Sequence, residues 1–247
     1  MKTRVCAVGA LTSLFLAATA PALGHDEKRP LEQLGKVSFQ TSCTPSAQPH
    51  FERAVALLHS FWFSEAEKAF RDVLVRDPTC AIANWGIATV LIGNTFAGAA
   101  TPLAAQKAHE ALENGRSIGA KTPREQAYIE AVSRYWDNFR DRPHAERMQT
   151  LSDAFEQLAA AFPTDDEAQI FFAIYLTATQ SPTDKSFRRT LKAASILEQQ
   201  IERHAEHPGV THYLIHSYDY PPIAAKGLPA ARRYASIAPS APHAHMP

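Results

Sequence analysis

Residues 66–78 read Ala-Glu-Lys-Ala-Phe-Arg-Asp-Val-Leu-Val-Arg-Asp-Pro, and their spacing decides the fold. A small residue at Ala66, an aromatic at Phe70 and a proline at Pro78 close one helix and open the next. Phe155 and Pro163 repeat the second half of that pattern. An amphipathic run follows each proline, over 81–93 and 165–179, so the chain reads as stacked antiparallel helix pairs with a fixed period. The predicted class is all-α.

The neighbouring sequence extends the pattern in both directions. Upstream, Phe51, Ala54, Val55 and Leu58 fall at the i, i+3, i+4, i+7 spacing of a buried helical stripe over 48–59. Ser64, with Glu67 three residues later, predicts a capping-box start for the partner helix, which runs to about residue 76 before Asp77-Pro78. Downstream, 82–93 pairs with 102–116, where Thr101 offers an N-cap and Pro102 suits the first helical position. Thr122-Pro123 repeats that chemistry for a helix over 124–139, and Arg142-Pro143 opens another that runs to Phe162. Helices over 165–179, 186–204, 210–218 and 228–237 complete an expected set of about ten, and no alternating β-branched segment is long enough for a strand. The connection 93–100 is longer than its counterparts.

The chain has 247 residues, 45% of them hydrophobic, enough for one elongated helical domain with a continuous core. Residues 1–24 stand apart: Lys2 and Arg4 precede the apolar run 5–20, and Ala22-Leu23-Gly24 offers small residues for cleavage. This predicts a secretory signal peptide, an exported (periplasmic or secreted) protein beginning near His25, and no membrane span after cleavage. Losing Lys2 and Arg4 from 25 basic residues against 25 acidic ones leaves a charge of about −2, so no basic surface for nucleic acid is expected. Residues 25–45 read as an extended leader, and 46–247 as the repeat domain. Cys43 and Cys80 remain after cleavage, and an oxidising compartment predicts a disulfide between them.

Chemistry concentrates near the C-terminus, where His204, His207, His212, His216, His243 and His245 fall together. His212, His216 and Asp219 stand at i, i+4 and i+7, which places them on one helix face. Two histidines one turn apart with a carboxylate form the ligand set of an open zinc site or a facial-triad iron site, and copper also suits imidazole. His207, or His243 and His245 returning from the following loop, would complete the coordination shell. The competing reading puts the same polar residues on a concave surface that binds a protein or peptide. Gly115-Arg116-Ser117-Ile118-Gly119 matches a nucleophile elbow in letters only, because it follows a helix instead of a strand.

The helix-pair unit resembles the tetratricopeptide repeat through Ala66, Phe70 and Pro78, with Ile87-Ala88 and Leu91 fitting the next unit. The string from His207-Pro-Gly through His212-Tyr-Leu-Ile-His216 to Asp219, with His243-Ala-His245-Met-Pro, resembles exported bacterial tetratricopeptide-repeat proteins of undefined activity. The resemblance implies a right-handed solenoid. Those relatives continue past Met-Pro into further repeats, so a chain shortened at its C-terminus is the expectation. The leading functional expectation is a non-catalytic scaffold that binds a protein or peptide on its concave face; the alternative is a metal-binding or metal-dependent protein using the His/Asp cluster.

Overall fold

A computed structural model describes residues 32–245. Among them are ten α-helices, two short 3₁₀ turns and no strand. The expected signal segment 1–24 and residues 25–31 of the leader lie outside the described residues. No helix among those described is long and apolar enough to cross a membrane.

The helices follow one another as five hairpins: α1 (Gln48–His59) with α2 (Phe63–Arg76), α3 (Ile82–Val90) with α4 (Pro102–Ile118), α5 (Pro123–Trp136) with α6 (His144–Ala161), α7 (Asp166–Ala178) with α8 (Arg188–Arg203), and α9 (Pro208–Tyr218) with α10 (Leu228–Ile237). Members of each hairpin differ in what they bury. In α2 only Ala66, Ala69, Phe70 and Val73 are buried, one stripe at i, i+3, i+4 and i+7. Every residue of α3 is buried, because it packs against α1, α2, α4 and α5 together.

The odd-numbered helices form an inner layer. Besides its neighbours in sequence, α9 packs against α1 and α7, so the first hairpin meets the last. Aromatic rings fill the middle: Phe171 of α7 lies 4.6 Å from the His59 ring and 5.2 Å from Trp85. The segment before α1 joins this core. Phe39 is fully buried, with Phe51, Trp85 and Tyr128 at centroid distances of 5.1, 5.3 and 4.9 Å. Burying one such ring is worth about 1.5–3 kcal/mol. Around it, Glu125 accepts from the Ser42 backbone and hydroxyl at 2.6 Å, and Asp77 accepts from the Thr44 backbone at 2.7 Å. A disulfide joins Cys43 to Cys80, their Cα atoms 4.8 Å apart, and so fastens the leader to the start of α3.

Local signals account for several helix starts. Thr101 and Thr122 each accept from a backbone N–H three residues on, at 3.1 Å, and Asp165 does the same for α7 at 3.2 Å. The capping box at Ser64 does not form: α2 begins at Phe63, with no side-chain cap. A tight connection displaces it, in which the Trp62 N–H donates to the Leu57 carbonyl and Phe61 takes a left-handed φ of 54°. Gly115 lies within the last turn of α4 and Gly119 closes it with a φ of 82°, which makes that stretch a helix end.

Two close approaches depend on missing side chains. A Cβ at Gly86 would fall 2.3 Å from the Phe70 ring, and one at Gly209 would fall 2.4 Å from His59 Nδ1. The second lets the first turn of α9 press directly on the end of α1.

Candidate metal centre

That contact places the histidines. His59 ends the buried stripe of α1, one turn beyond Val55; His212 and His216 lie one turn apart on α9; His243 returns from the last 3₁₀ turn, Pro242–His245. The ring nitrogens of His212, His216 and His243 include three ligand atoms, all within 4.8 Å of one another. The Nε2 atoms of His212 and His216 are 3.1 Å apart. Two imidazole nitrogens bound to one tetrahedral zinc at about 2.05 Å would stand about 3.3 Å apart, so the spacing suits a shared ion.

The protonation pattern suits it too. His212 Nδ1 donates to the backbone carbonyl of His59 at 2.6 Å, which leaves Nε2 with its lone pair facing His216. A ligating histidine commonly has its other nitrogen held by a carbonyl in this way, which fixes both tautomer and ring plane. Burial pushes His212 well below the usual imidazole range, and neighbouring His216 pushes it further. Burial, then His243, lowers His216 to about 4, and burial alone lowers His243. All three are therefore neutral bases at neutral pH, the state a metal requires.

Aromatic rings wall the group. Tyr234 of α10 stacks on His212 at 4.8 Å with planes 9° apart. Phe61 touches all three histidines, with centroid distances of 4.4 Å to His212 and 5.5 Å to both His216 and His243. Phe96, carried by the long α3–α4 connection, lies 4.6 Å from His216 and is partly exposed. The left-handed backbone at Phe61 is costly for a bulky residue, about 1–3 kcal/mol, and it holds that ring against the cluster.

The other predicted ligands are elsewhere. Asp219 does not share the histidine face: α9 ends at Tyr218, and Asp219 is its exposed C-cap. Pro221 and Pro222 explain the early end, since residues before proline are pushed out of helical backbone and the i+7 extrapolation fails with them. Among the described residues, no carboxylate joins the three-histidine group. His245 is exposed, with Nε2 hydrogen-bonded to the Pro239 carbonyl at 2.8 Å.

His207 belongs to a second cluster with His59 and Glu167, all three buried. Glu167 Oε1 accepts from His207 Nε2 and Oε2 from His59 Nε2, each at 2.9 Å. His207 Nδ1 accepts from the Val210 backbone at 3.2 Å, capping α9, so in the neutral ring Nε2 must carry the proton. His59 Nδ1 faces the Tyr213 hydroxyl at 2.9 Å. This cluster is saturated by hydrogen bonds, and its nitrogens have no lone pair left for an ion. A third grouping, Cys43, Asp77 and Cys80, offers no thiolate because its sulfurs are bonded to each other.

His59 and Glu167 carry a sequence signal of a different kind from the C-terminal run of histidines. His59 continues the stripe Phe51, Val55, and Glu167 stands one turn before Phe171 on an otherwise apolar face. A polar side chain in an apolar register demands a buried partner. Compared as a whole, the chain matches no protein-family model, no curated protein and no solved structure.

Proposed function

We propose that the protein binds a transition-metal ion through His212, His216 and His243, with His59 orienting His212 through its carbonyl. The observation that supports this best is the pair of facing Nε2 atoms at 3.1 Å, one of them stripped of its proton by the Nδ1 contact. Three neutral imidazoles without a carboxylate suit zinc or copper, and the facial-triad iron set loses its third member with Asp219. A three-histidine site leaves a position open for water or another ligand, which is the form that metal-dependent chemistry uses.

The peptide-scaffold reading ranks second, since buried Phe39, Trp85 and Phe171 fill the space between the odd-numbered helices. We read the hairpins as a tetratricopeptide-like solenoid whose first and last units touch. We also read the chain as exported; the basic-then-apolar N-terminal sequence and the Cys43–Cys80 bond support that.

The test is elemental analysis of untagged protein purified without chelator, followed by titration with Zn(II) and Cu(II). One ion per chain, lost in His212→Ala and His216→Ala but kept in Asp219→Ala, is the expected result. Wild-type protein that takes up neither ion at neutral pH would defeat the proposal.

A further inference from the structure

An ion must reach the three histidines from solvent, and the rings that cover them differ in exposure. Tyr234 over His212 is buried, and Phe61 is partly buried among all three. Phe96, against His216, is 41% exposed and is the outermost wall.

Phe96 sits on the longest connection between consecutive helices, from the end of α3 to the start of α4. Little ties that connection down. Among the described residues, the hydrogen bonds of 94–99 are local: the Phe96 N–H donates to the Asn94 side-chain carbonyl at 2.9 Å, and the Ala97 N–H to the Asn94 main-chain carbonyl at 3.0 Å. Gly93 and Gly98 bracket the ring in left-handed backbone, at φ 76° and 118°, and open space surrounds both. Glycine at such positions lets the chain turn without a side chain to carry along.

The seated connection also leaves a polar group unserved. The Thr95 hydroxyl is buried without a hydrogen-bond partner, beside a cavity of about 20 Å³ that Phe61, Phe63 and Gly93 help to line. An unmade hydrogen bond is a cost that exposure to water removes. The contact of Phe96 with His216 therefore favours the seated position, and the Thr95 hydroxyl opposes it.

We infer that residues 94–99 are a door over the metal centre, swung on Gly93 and Gly98, with the Phe96 ring as its panel. This rests on the metal reading above and concerns how fast an ion passes, where that reading concerns whether one binds. A gate that the ion crosses both ways scales entry and exit alike and leaves their ratio, the affinity, unchanged.

The experiment follows Zn(II) in the full chain by stopped flow, uptake against a zinc-sensitive dye and loss to excess chelator, with Cu(II) in its place should only copper bind. Phe96→Ala removes the panel and is expected to raise both rates about tenfold, with affinity within about threefold of wild type. Thr95→Val removes the unpartnered hydroxyl at nearly constant shape and is expected to slow both about fivefold. Leu103→Ala, exposed on the first turn of α4, is expected to change neither rate.

Faster loss with unchanged uptake in Phe96→Ala marks a merely structural wall and overturns the inference while leaving the metal site standing. Rates equal to wild type in Phe96→Ala, or no slowing in Thr95→Val, overturn it as well. Wild type that takes up neither ion removes the metal reading with it.

Discussion

The two histidine clusters are built from the same side chain and touch through one residue, yet they behave as opposites. In the first, every nitrogen of His59 and His207 has a hydrogen-bond partner, and the cluster is complete as it stands. In the second, His212 and His216 point nitrogens at each other and His243 adds a third, with none held by a carboxylate. The difference lies in the second contact of each ring. A backbone N–H at His207 Nδ1 forces the proton onto Nε2; a backbone carbonyl at His212 Nδ1 forces it off. Imidazole becomes glue or ligand according to which main-chain group faces its far side.

That contrast predicts that damage to the closed cluster falls chiefly on stability and damage to the open one on metal uptake. Glu167→Ala leaves two buried donors without an acceptor, and a loss of about 3–5 kcal/mol in urea unfolding of metal-free protein is expected. In the same assay His216→Ala should cost far less, while abolishing metal binding. Equal destabilisation by both would erase the distinction. Gly209→Ala comes next: the added methyl meets the buried His59 ring, and overpacking of about 1–3 kcal/mol is expected in the unfolding midpoint, with weakened metal binding because the His59 carbonyl shifts.

Acid sharpens the contrast further. His212, His216 and His243 have lowered pKa values in the fold, so the unfolded chain binds more protons once pH drops below the ordinary imidazole value of about 6.5. Their contribution to stability is whole above that value and is lost progressively as pH falls to about 4, the value for His216. A thermal-unfolding series across this window should show falling Tm in wild type and a shallower slope in His216→Gln; parallel slopes would count against the buried neutral state. Asp219→Ala and His245→Ala make the smallest change, with metal affinity within about twofold of wild type, because neither side chain reaches the cluster.

Much of the fold is legible in the sequence, since helix pairing rests on local signals. Proline after aspartate, threonine before proline and apolar stripes of period 3.6 act over a few residues, and Thr101, Thr122 and the stripe of α2 all appear where those signals put them. The site is legible only in part. His212 and His216 are one helical turn apart, and helix geometry brings them together. Asp219 fails because two prolines beyond it end the helix. His243 is brought in by the last 3₁₀ turn, and His59 and Glu167 come from helices far apart in sequence, a meeting that no local periodicity encodes. Their signal was a polar residue in an apolar register, which says that a partner exists without saying which.

The socket for Phe39 has walls from α1, α3 and α5, so it does not exist until Tyr128 has been synthesised. The leader's seat is therefore shared by the first three hairpins, and the Cys43–Cys80 bond ties it to the link between the first two. Cutting the cross-link would leave the leader held by noncovalent contacts alone, Phe39 in its socket among them.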